Sequence, residues 1–282
     1  MLALGVTGDV GAGKSTLTRL WGEMGASVID ADKIVRDLWA RPSVIEGAVS
    51  LWGEAVLDGA GKICPAAVAE VAFSGEREYR RLNGLLHPLV KIEMNRMASC
   101  LEGWVVAEIP LLFEAGVPHW IDATVYVTSG EEARAKRNAS RGWLPGEIKR
   151  RESFLLPQGE KKKLADIIIE NHGGLDALKA RAEVLAAEFR RMSDLLFCSA
   201  GFDRREDAEY WAERLGRERL AADFFIAAGG GACEGAKNFR LTFITLGPLF
   251  SRLNLPGDGP VAAPVRKMPY RRRTALAEEL LP

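Results

Sequence analysis

Short apolar runs alternate with longer amphipathic segments from residue 1 to about residue 192. The runs LALGV, SVID, WVVAEI, ATVYVT and DIII predict buried strands, and apolar residues at helical spacing predict helices over Lys14–Met24 and Leu175–Met192. Strands that alternate with helices indicate an α/β fold, in which a parallel sheet carries helices on both faces.

About seventy residues of mostly helical pattern separate the second strand from the third. That length exceeds a single crossover, so we expect a helical insertion over about residues 40–100. After Met192, DLLFCSA predicts a strand and RREDAEYWAERLGRERLAA a charged helix, but Gly and Pro crowd the chain beyond Ala228. We therefore expect one domain over residues 1–192, and a C-terminal extension over residues 193–282 that packs weakly or is poorly ordered beyond its first strand and helix.

The stretch GDVGAGKS, from Gly8 to Ser15, fits the phosphate-binding loop G-x-x-x-x-G-K-[ST] at every fixed position. Its glycines let backbone N–H groups turn toward phosphate oxygens, and the start of the following helix also favours anions. Lys14 is expected to reach the β- and γ-phosphates, and the Ser15 hydroxyl to ligate Mg²⁺. A chance glycine-rich turn is the alternative, but the strand before the loop and the helix after it favour nucleotide binding.

Charge and cysteine content exclude several classes of partner. Lys plus Arg number 38, as do Asp plus Glu, so the chain has no electrostatic footprint for nucleic acid or an anionic membrane. Neither a signal peptide nor a membrane-spanning run is evident in the sequence. The four cysteines lack metal-ligand or CxxC spacing and predict free thiols in a reducing cytosol. No N/T-K-x-D motif is present, which disfavours a GTPase.

The stretch VIDADKIVR places two acids, Asp30 and Asp32, at the carboxyl end of the second strand. Ligands of parallel sheets bind at this edge, and a carboxylate there can accept the proton of an acceptor hydroxyl. Asp30 has an equally strong alternative role as the N-cap of a helix that runs through Arg36.

Together, TGDVGAGKST, VIDADKIVR, HPLV, IPLLFEAG and ADIIIENHGGLDAL resemble the ordered motifs of the dephospho-CoA kinase family. The resemblance covers about residues 1–190. It implies a P-loop kinase with a helical substrate-binding insertion and a mobile lid over about residues 134–162. It also implies that the γ-phosphate of ATP is transferred to the ribose 3′-hydroxyl of dephospho-CoA with the help of Mg²⁺.

The same resemblance implies roles for individual residues. The expected ATP-binding residues are Gly8, Gly11, Ala12, Gly13, Lys14, Ser15, Thr16, Arg137 and Asn171. Asp32 resembles the catalytic base, assisted by Lys14 and Arg141, while the expected acceptor-side residues are Asp30, Arg36, His87 and Glu108. Glu108 stands where relatives usually carry Asp, and Leu155 stands where they often carry Gln.

Some of these residues also have simpler interpretations. His87, in an HP pair that the resemblance places at the start of a helix, is equally typical of a capping or packing histidine. Arg137 and Arg141 lie four residues apart, which suits lid arginines that close over ATP or, alternatively, a solvated basic helix face.

The extension has a second, weaker resemblance. LLFCSAGFDRREDAEYWAERLGRERLAA is similar to the first strand and helix of the CutA divalent-cation tolerance family, over fewer than thirty residues. The Cys-Val strand and the Tyr-x-Trp hairpin of that family do not follow, so no metal function is inferred. A degenerate fused module and a slipped reading frame are the alternatives for this segment.

Taken together, the pattern and the resemblance imply a cytoplasmic kinase of this family that uses ATP and Mg²⁺ and is a monomer or a weak homo-oligomer. Two rivals stay open: a P-loop kinase of another nucleoside-like alcohol, and a non-catalytic nucleotide-binding protein.

Overall fold

The computed structural model describes residues 1–139, 146–228, 237–256, 260–265, 268 and 270–280. The chain divides into two compact units. One comprises Ala3–Leu101 and Val105–Glu183, and the other comprises Met1–Leu2, Glu102–Trp104 and Val184–Pro282. Within the ranges described, no helix is both long enough and apolar enough to cross a membrane.

The first sheet has five strands in the order β2-β3-β1-β4-β5. The strands are β1 Leu2–Gly8, β2 Ser27–Asp30, β3 Trp104–Glu108, β4 Ala123–Thr128 and β5 Ile167–Glu170. The pairs β2–β3, β1–β4 and β4–β5 run parallel, and every residue of β1, β3 and β4 is buried. Burial on both faces is expected of a parallel sheet covered by helices, and the predicted α/β fold is confirmed.

The helices that accompany this sheet are α1 Lys14–Glu23, α2 Ala31–Leu38, α3 Pro42–Trp52, α4 Pro65–Ala72, α5 Glu76–Ser99, α6 Glu131–Ala139, α7 Glu147–Glu152, α8 Gln158–Leu164 and α9 Leu175–Ser193. Between α3 and α4 lies a short 3₁₀ helix, Glu54–Val56. A small core of buried Ala48, Val56 and Val68 packs against the partly buried Trp39 and Leu82. This core gives the segment between β2 and β3 its own hydrophobic centre.

The HPLV segment lies inside α5, and the structure thereby corrects the expectation that it opens a helix. Pro88 lacks a backbone N–H and removes one hydrogen bond of the helix. The helix nevertheless continues through it, because Leu86, Val90 and Met94 recur at helical spacing and are all buried.

The second unit contains an antiparallel sheet in the order β7-β8-β6-β9. Its elements are β6 Leu195–Phe202, α10 Arg205–Arg217, β7 Ala222–Ala228, β8 Phe239–Leu246, α11 Gly247–Phe250, β9 Val261–Pro264 and α12 Tyr270–Glu279. The described residues beyond Ala228 pack into a core, whereas we expected weak packing or poor order there. Apolar side chains at alternating positions of β8, Leu241 and Phe243, are fully buried in a core that also holds Leu215 and Leu276.

Arg273 links distant parts of this unit. The side chain is fully buried, and its guanidinium nitrogens donate to the backbone carbonyls of Met1 at 3.3 Å, Met192 at 3.4 Å and Val265 at 3.1 Å. The start of β1, the end of α9 and the segment after β9 are therefore joined through one side chain in α12.

Candidate functional site

The phosphate-binding loop joins β1 to α1 and depends on three glycines. Gly8, Gly11 and Gly13 have backbone φ values of 151°, 75° and 102°, which residues other than glycine rarely adopt. A Cβ at Gly8 would collide with the carbonyl of Val127, and one at Gly13 would lie 2.5 Å from the Asn171 amide nitrogen. The loop thus follows a path that only these glycines permit.

Lys14 folds back over the loop at the first position of α1. Its Nζ lies 3.1 Å from the Gly8 carbonyl oxygen and 3.0 Å from that of Asp9. Desolvation lowers the pKa of Lys14, while the negative charges of Glu108, Asp32 and Asp9 oppose that shift. The lysine is therefore held near the loop at a point where three carboxylates favour its charged form.

Asp9, at a variable position of the motif, anchors the loop to β4. The side chain is buried, its Oδ1 accepts a hydrogen bond from the Tyr126 hydroxyl, and its Oδ2 accepts one from Thr128 Oγ1 at 2.7 Å. Burial, followed by the hydrogen bond to Asp9, raises the pKa of Tyr126 well above its usual value, so the phenol stays a donor. The loop motif does not predict this contact. The available signal is the charge of Asp9, since a carboxylate beside a phosphate site is expected to point away from the phosphate.

Ser15 and Glu108 form the oxygen-rich part of the site. Glu108 Oε1 accepts from Ser15 Oγ at 2.7 Å, and its Oε2 accepts from Thr18 Oγ1 at 2.9 Å. Burial raises the pKa of Glu108, while the two hydroxyl hydrogen bonds and Lys14 counteract the shift. Thr16, next to Ser15 in α1, is half-buried. Glu108 is longer than the Asp that relatives usually carry, and from the end of β3 it reaches the hydroxyls of α1.

These oxygens fit a hard divalent cation. The Ser15 hydroxyl donates a hydrogen bond to Glu108, which leaves the lone pairs of the hydroxyl oxygen to act as metal ligands. Within the described residues no group of three or more His, Cys, Asp or Glu side chains could hold a metal ion. A cation at Ser15 would thus complete its ligand shell with water and phosphate oxygens, as Mg²⁺ commonly does.

The two acids at the end of β2 lie in different environments. Asp30 Oδ1 accepts from the Lys33 N–H at 2.9 Å as the N-cap of α2, and its Oδ2 lies 3.7 Å from the exposed Arg36 guanidinium. Asp32 is exposed to solvent in the first turn of α2. Desolvation by its surroundings and the charge of Asp30 raise the pKa of Asp32, and Lys14 opposes the shift. Asp30 is thus engaged in capping, and Asp32 is accessible.

A mostly apolar cavity of about 100 Å³ adjoins Asp32. His87 and Lys91 of α5 line it, together with Ile109 and Pro110 that follow β3. His87 is half-buried, and burial, followed by the charge of Lys91, lowers its pKa, which favours the neutral imidazole. The structure therefore brings Asp32 and His87, but not Asp30, to the wall of one cavity.

Arg137 of α6 binds the back of the phosphate loop. Its guanidinium donates to the Gly11 carbonyl at 3.2 Å, to Ser129 Oγ at 3.1 Å and to the Asn171 carbonyl at 3.4 Å. The Asn171 amide in turn donates to the Ala12 carbonyl at 2.8 Å. Arg137 and Asn171 therefore lie at the loop, as expected, and they bind it through its carbonyl oxygens. Arg141 lies outside the described residues.

Residues 134–162, which the resemblance leads us to expect as a lid, contain residues of two ion pairs that the sequence did not predict. Arg134, buried on α6, pairs with Glu152 of α7, whose Oε1 also lies 3.4 Å from the Val10 N–H. Lys161, buried on α8, pairs with Glu114 at 2.6 Å. The contact of Glu152 with Val10 joins the first pair to the loop that follows β1, and the second pair joins α8 to the segment that follows β3. Neither has a local signal, because the partners are distant in sequence.

Known proteins resemble the chain across this region. The model of the family described as dephospho-CoA kinase matches residues 2–177, more than half of the chain. The dephospho-CoA kinase of Deinococcus radiodurans is 36% identical over 185 residues, which cover 64% of this chain and 88% of that protein. The enzyme of Corynebacterium diphtheriae is 35% identical over 195 residues, 67% of this chain and 98% of its own.

A solved structure agrees with these relatives. The dephospho-CoA kinase from Campylobacter jejuni has a TM-score of 0.51 and 26% identity, and the match covers 67% of this chain and 97% of that one. The family match includes the phosphate loop, Asp32, Glu108 and Asn171, which lie around one edge of the first sheet. The chain therefore belongs to the dephospho-CoA kinase family.

Proposed function

We propose that this protein phosphorylates the ribose 3′-hydroxyl of dephospho-CoA with ATP and so forms coenzyme A. The observation that carries the proposal is the convergence of Lys14, Glu108 and Asp32 at the carboxyl edge of a parallel sheet, in a chain of this family. A phosphate-donor site and an acidic group on an acceptor cavity are thereby adjacent.

The donor side rests on the phosphate loop. Its backbone N–H groups and Lys14 bind the β- and γ-phosphates, and the anchored Asp9 keeps the loop in place. Ser15 and Glu108 would hold Mg²⁺, which neutralises phosphate charge when it is bound. Arg137, already at the loop, and Arg141 are proposed to stabilise charge on the transferred group.

The acceptor side rests on Asp32. The ribose 3′-oxygen attacks the γ-phosphorus in line, the bond from that phosphorus to the β–γ bridging oxygen breaks, and ADP leaves. Asp32 accepts the hydroxyl proton, and its raised pKa makes it a better proton acceptor than an unperturbed aspartate. Arg36 and His87, beside Asp30 and Asp32 respectively, are proposed to contact the acceptor.

A coupled assay for ADP release tests the proposal. We expect ADP to form with dephospho-CoA at a rate far above that with adenosine or other nucleosides, and at a negligible rate without an acceptor. Equal rates with other nucleosides would support a different kinase, and nucleotide binding without ADP release would support a non-catalytic protein. We further propose that the protein is a monomer or a weak homo-oligomer in the cytoplasm; light scattering tests its oligomeric state, and cell fractionation its location.

A further inference from the structure

A buried ion pair lies beside the phosphate loop and has no part in the reaction described above. The side chain of Arg134 on α6 is 8% exposed, and it pairs with Glu152 of α7, whose side chain is 25% exposed. Taking two charges out of water costs free energy that their attraction often only balances, and an apolar pair of similar size is commonly at least as stable. Stability alone therefore gives no reason for charged groups at these two positions.

Both members of the pair contact the same residue of the loop. Glu152 Oε1 accepts a hydrogen bond from the Val10 N–H at 3.4 Å, and Arg134 Nη1 donates one to the Val10 carbonyl oxygen at 3.5 Å. Both contacts are at the long end of hydrogen-bond distances. The N–H and the carbonyl of one residue belong to successive peptide units, so the pair holds two adjoining peptides of the loop.

The first of these peptides joins Asp9 to Val10. A trans peptide is planar, and its N–H and its carbonyl point in opposite directions. Because the Val10 N–H is directed at Glu152, the Asp9 carbonyl points the other way, where its oxygen accepts a hydrogen bond from Lys14 Nζ at 3.0 Å. Glu152 thereby fixes the orientation of a carbonyl that holds the lysine of the loop.

The second peptide joins Val10 to Gly11. Its carbonyl is directed at Arg134, so the Gly11 N–H points to the opposite side of the loop. Arg137, one turn further along α6, donates to the next two carbonyls, those of Gly11 at 3.2 Å and Ala12 at 3.4 Å. Two arginines of α6 thus bind three successive carbonyls at the back of the loop. Their contacts leave the Gly11 N–H on the side where a phosphate would bind.

We propose that Arg134 and Glu152 are positioning residues of the donor site, which hold the loop in its phosphate-binding conformation by fixing the peptides on both sides of Val10. The inference rests on the donor half of the proposed function and adds a pair of residues that lies outside the loop motif. The pair acts through the Val10 backbone rather than on the nucleotide itself. Its loss should therefore weaken the binding of ATP and leave the acceptor side unchanged.

The first test is the double variant Arg134→Met/Glu152→Met, which removes both charges and keeps two unbranched side chains between α6 and α7. Its melting temperature should stay within a few degrees of the wild type, because an apolar pair can replace a buried ion pair. Its affinity for a non-hydrolysable ATP analogue, measured by calorimetry, should fall roughly 10- to 100-fold. The KM for ATP should rise in parallel, while the KM for dephospho-CoA changes little. Arg19→Met/Glu23→Met, which removes an exposed pair on α1, is the matched control.

Two single variants separate the hydrogen bond from the charge, and they provide a second measurement should the double variant fold poorly. Glu152→Gln and Glu152→Met both leave Arg134 without its counter-charge. The amide oxygen of the glutamine variant can still accept a hydrogen bond from the Val10 N–H, whereas the methionine variant offers no such acceptor. Glu152→Gln should therefore bind the ATP analogue at least about fivefold more tightly than Glu152→Met.

A double variant that melts like the wild type but binds the ATP analogue weakly supports the inference. Wild-type affinity in the double variant, or equal affinities of Glu152→Gln and Glu152→Met, would reduce the pair to a packing element and overturn it. Neither result would touch the proposed function, since the wild type would still phosphorylate dephospho-CoA. A wild type that does not bind the analogue at all would overturn both.

Discussion

Tyr126→Phe should loosen the phosphate loop, although Tyr126 is not part of the loop motif. The substitution removes the hydroxyl that donates to the buried Asp9 carboxylate and keeps the hydrogen bond from Thr128. A hydrogen bond to a charged group contributes about 1.5–3 kcal/mol. For a domain of this size, that loss lowers the melting temperature by roughly 3–12 °C. Because the same carboxylate positions the loop, the KM for ATP should rise while the KM for dephospho-CoA changes little.

The assay is a thermal melt combined with initial rates at varied ATP and varied dephospho-CoA. Tyr210→Phe is the matched control, because Tyr210 is an exposed tyrosine on α10 and surface substitutions usually change stability by less than about 0.5 kcal/mol. In a double-mutant cycle, Tyr126→Phe should have little further effect once Asp9→Asn has removed the charge. A wild-type melting temperature and ATP KM in Tyr126→Phe would refute the anchoring role of Asp9.

Three further predictions follow from the same geometry. Lys14→Ala should abolish transfer and leave the melting temperature within a few degrees of wild type; residual turnover near the wild-type rate would remove this loop from catalysis. Asp32→Asn should lower kcat about 10²–10⁴-fold with little effect on ATP affinity. The wild-type kcat should also fall as the pH drops through the raised pKa of Asp32, because the protonated carboxyl cannot accept the hydroxyl proton. If Asp32→Asn kept nearly the wild-type kcat and Asp30→Asn lost it, the roles of the two acids would be reversed. Arg273→Lys, which cannot reproduce the forked contacts to three carbonyls, should cost about 1.5–3 kcal/mol of stability without changing turnover; an unchanged melt would contradict the linking role of Arg273.

The sequence predicted the loop and the strands well because both depend on short stretches of chain. Fixed glycine spacing determines the loop path, and buried strands are marked by runs such as ATVYVT. The contact of Asp9 with Tyr126 could not be predicted in this way, because 117 positions separate the two residues. The ion pair of Lys161 with Glu114 escaped prediction for the same reason.

Other expectations failed where a local signal competed with packing. Pro88 indicates a helix boundary, but the buried face of α5 extends on both sides of it. Gly- and Pro-rich segments flank β8, and they obscured the alternation of Leu241 and Phe243 that buries this strand. At Asp30 the sequence left capping and catalysis equally open, and the hydrogen bond to the Lys33 N–H shows that Asp30 does cap α2.

The most direct test of the proposed function is the position of the transferred phosphate. The full-length protein is incubated with ATP, Mg²⁺ and dephospho-CoA, and the product is examined by ³¹P NMR and by mass, with Lys14→Ala as the control. We predict one new phosphomonoester on the ribose 3′-oxygen, formed in equal amount to ADP and absent with Lys14→Ala. ADP that forms at the same rate without dephospho-CoA, or a phosphate on any other atom, would contradict the assignment.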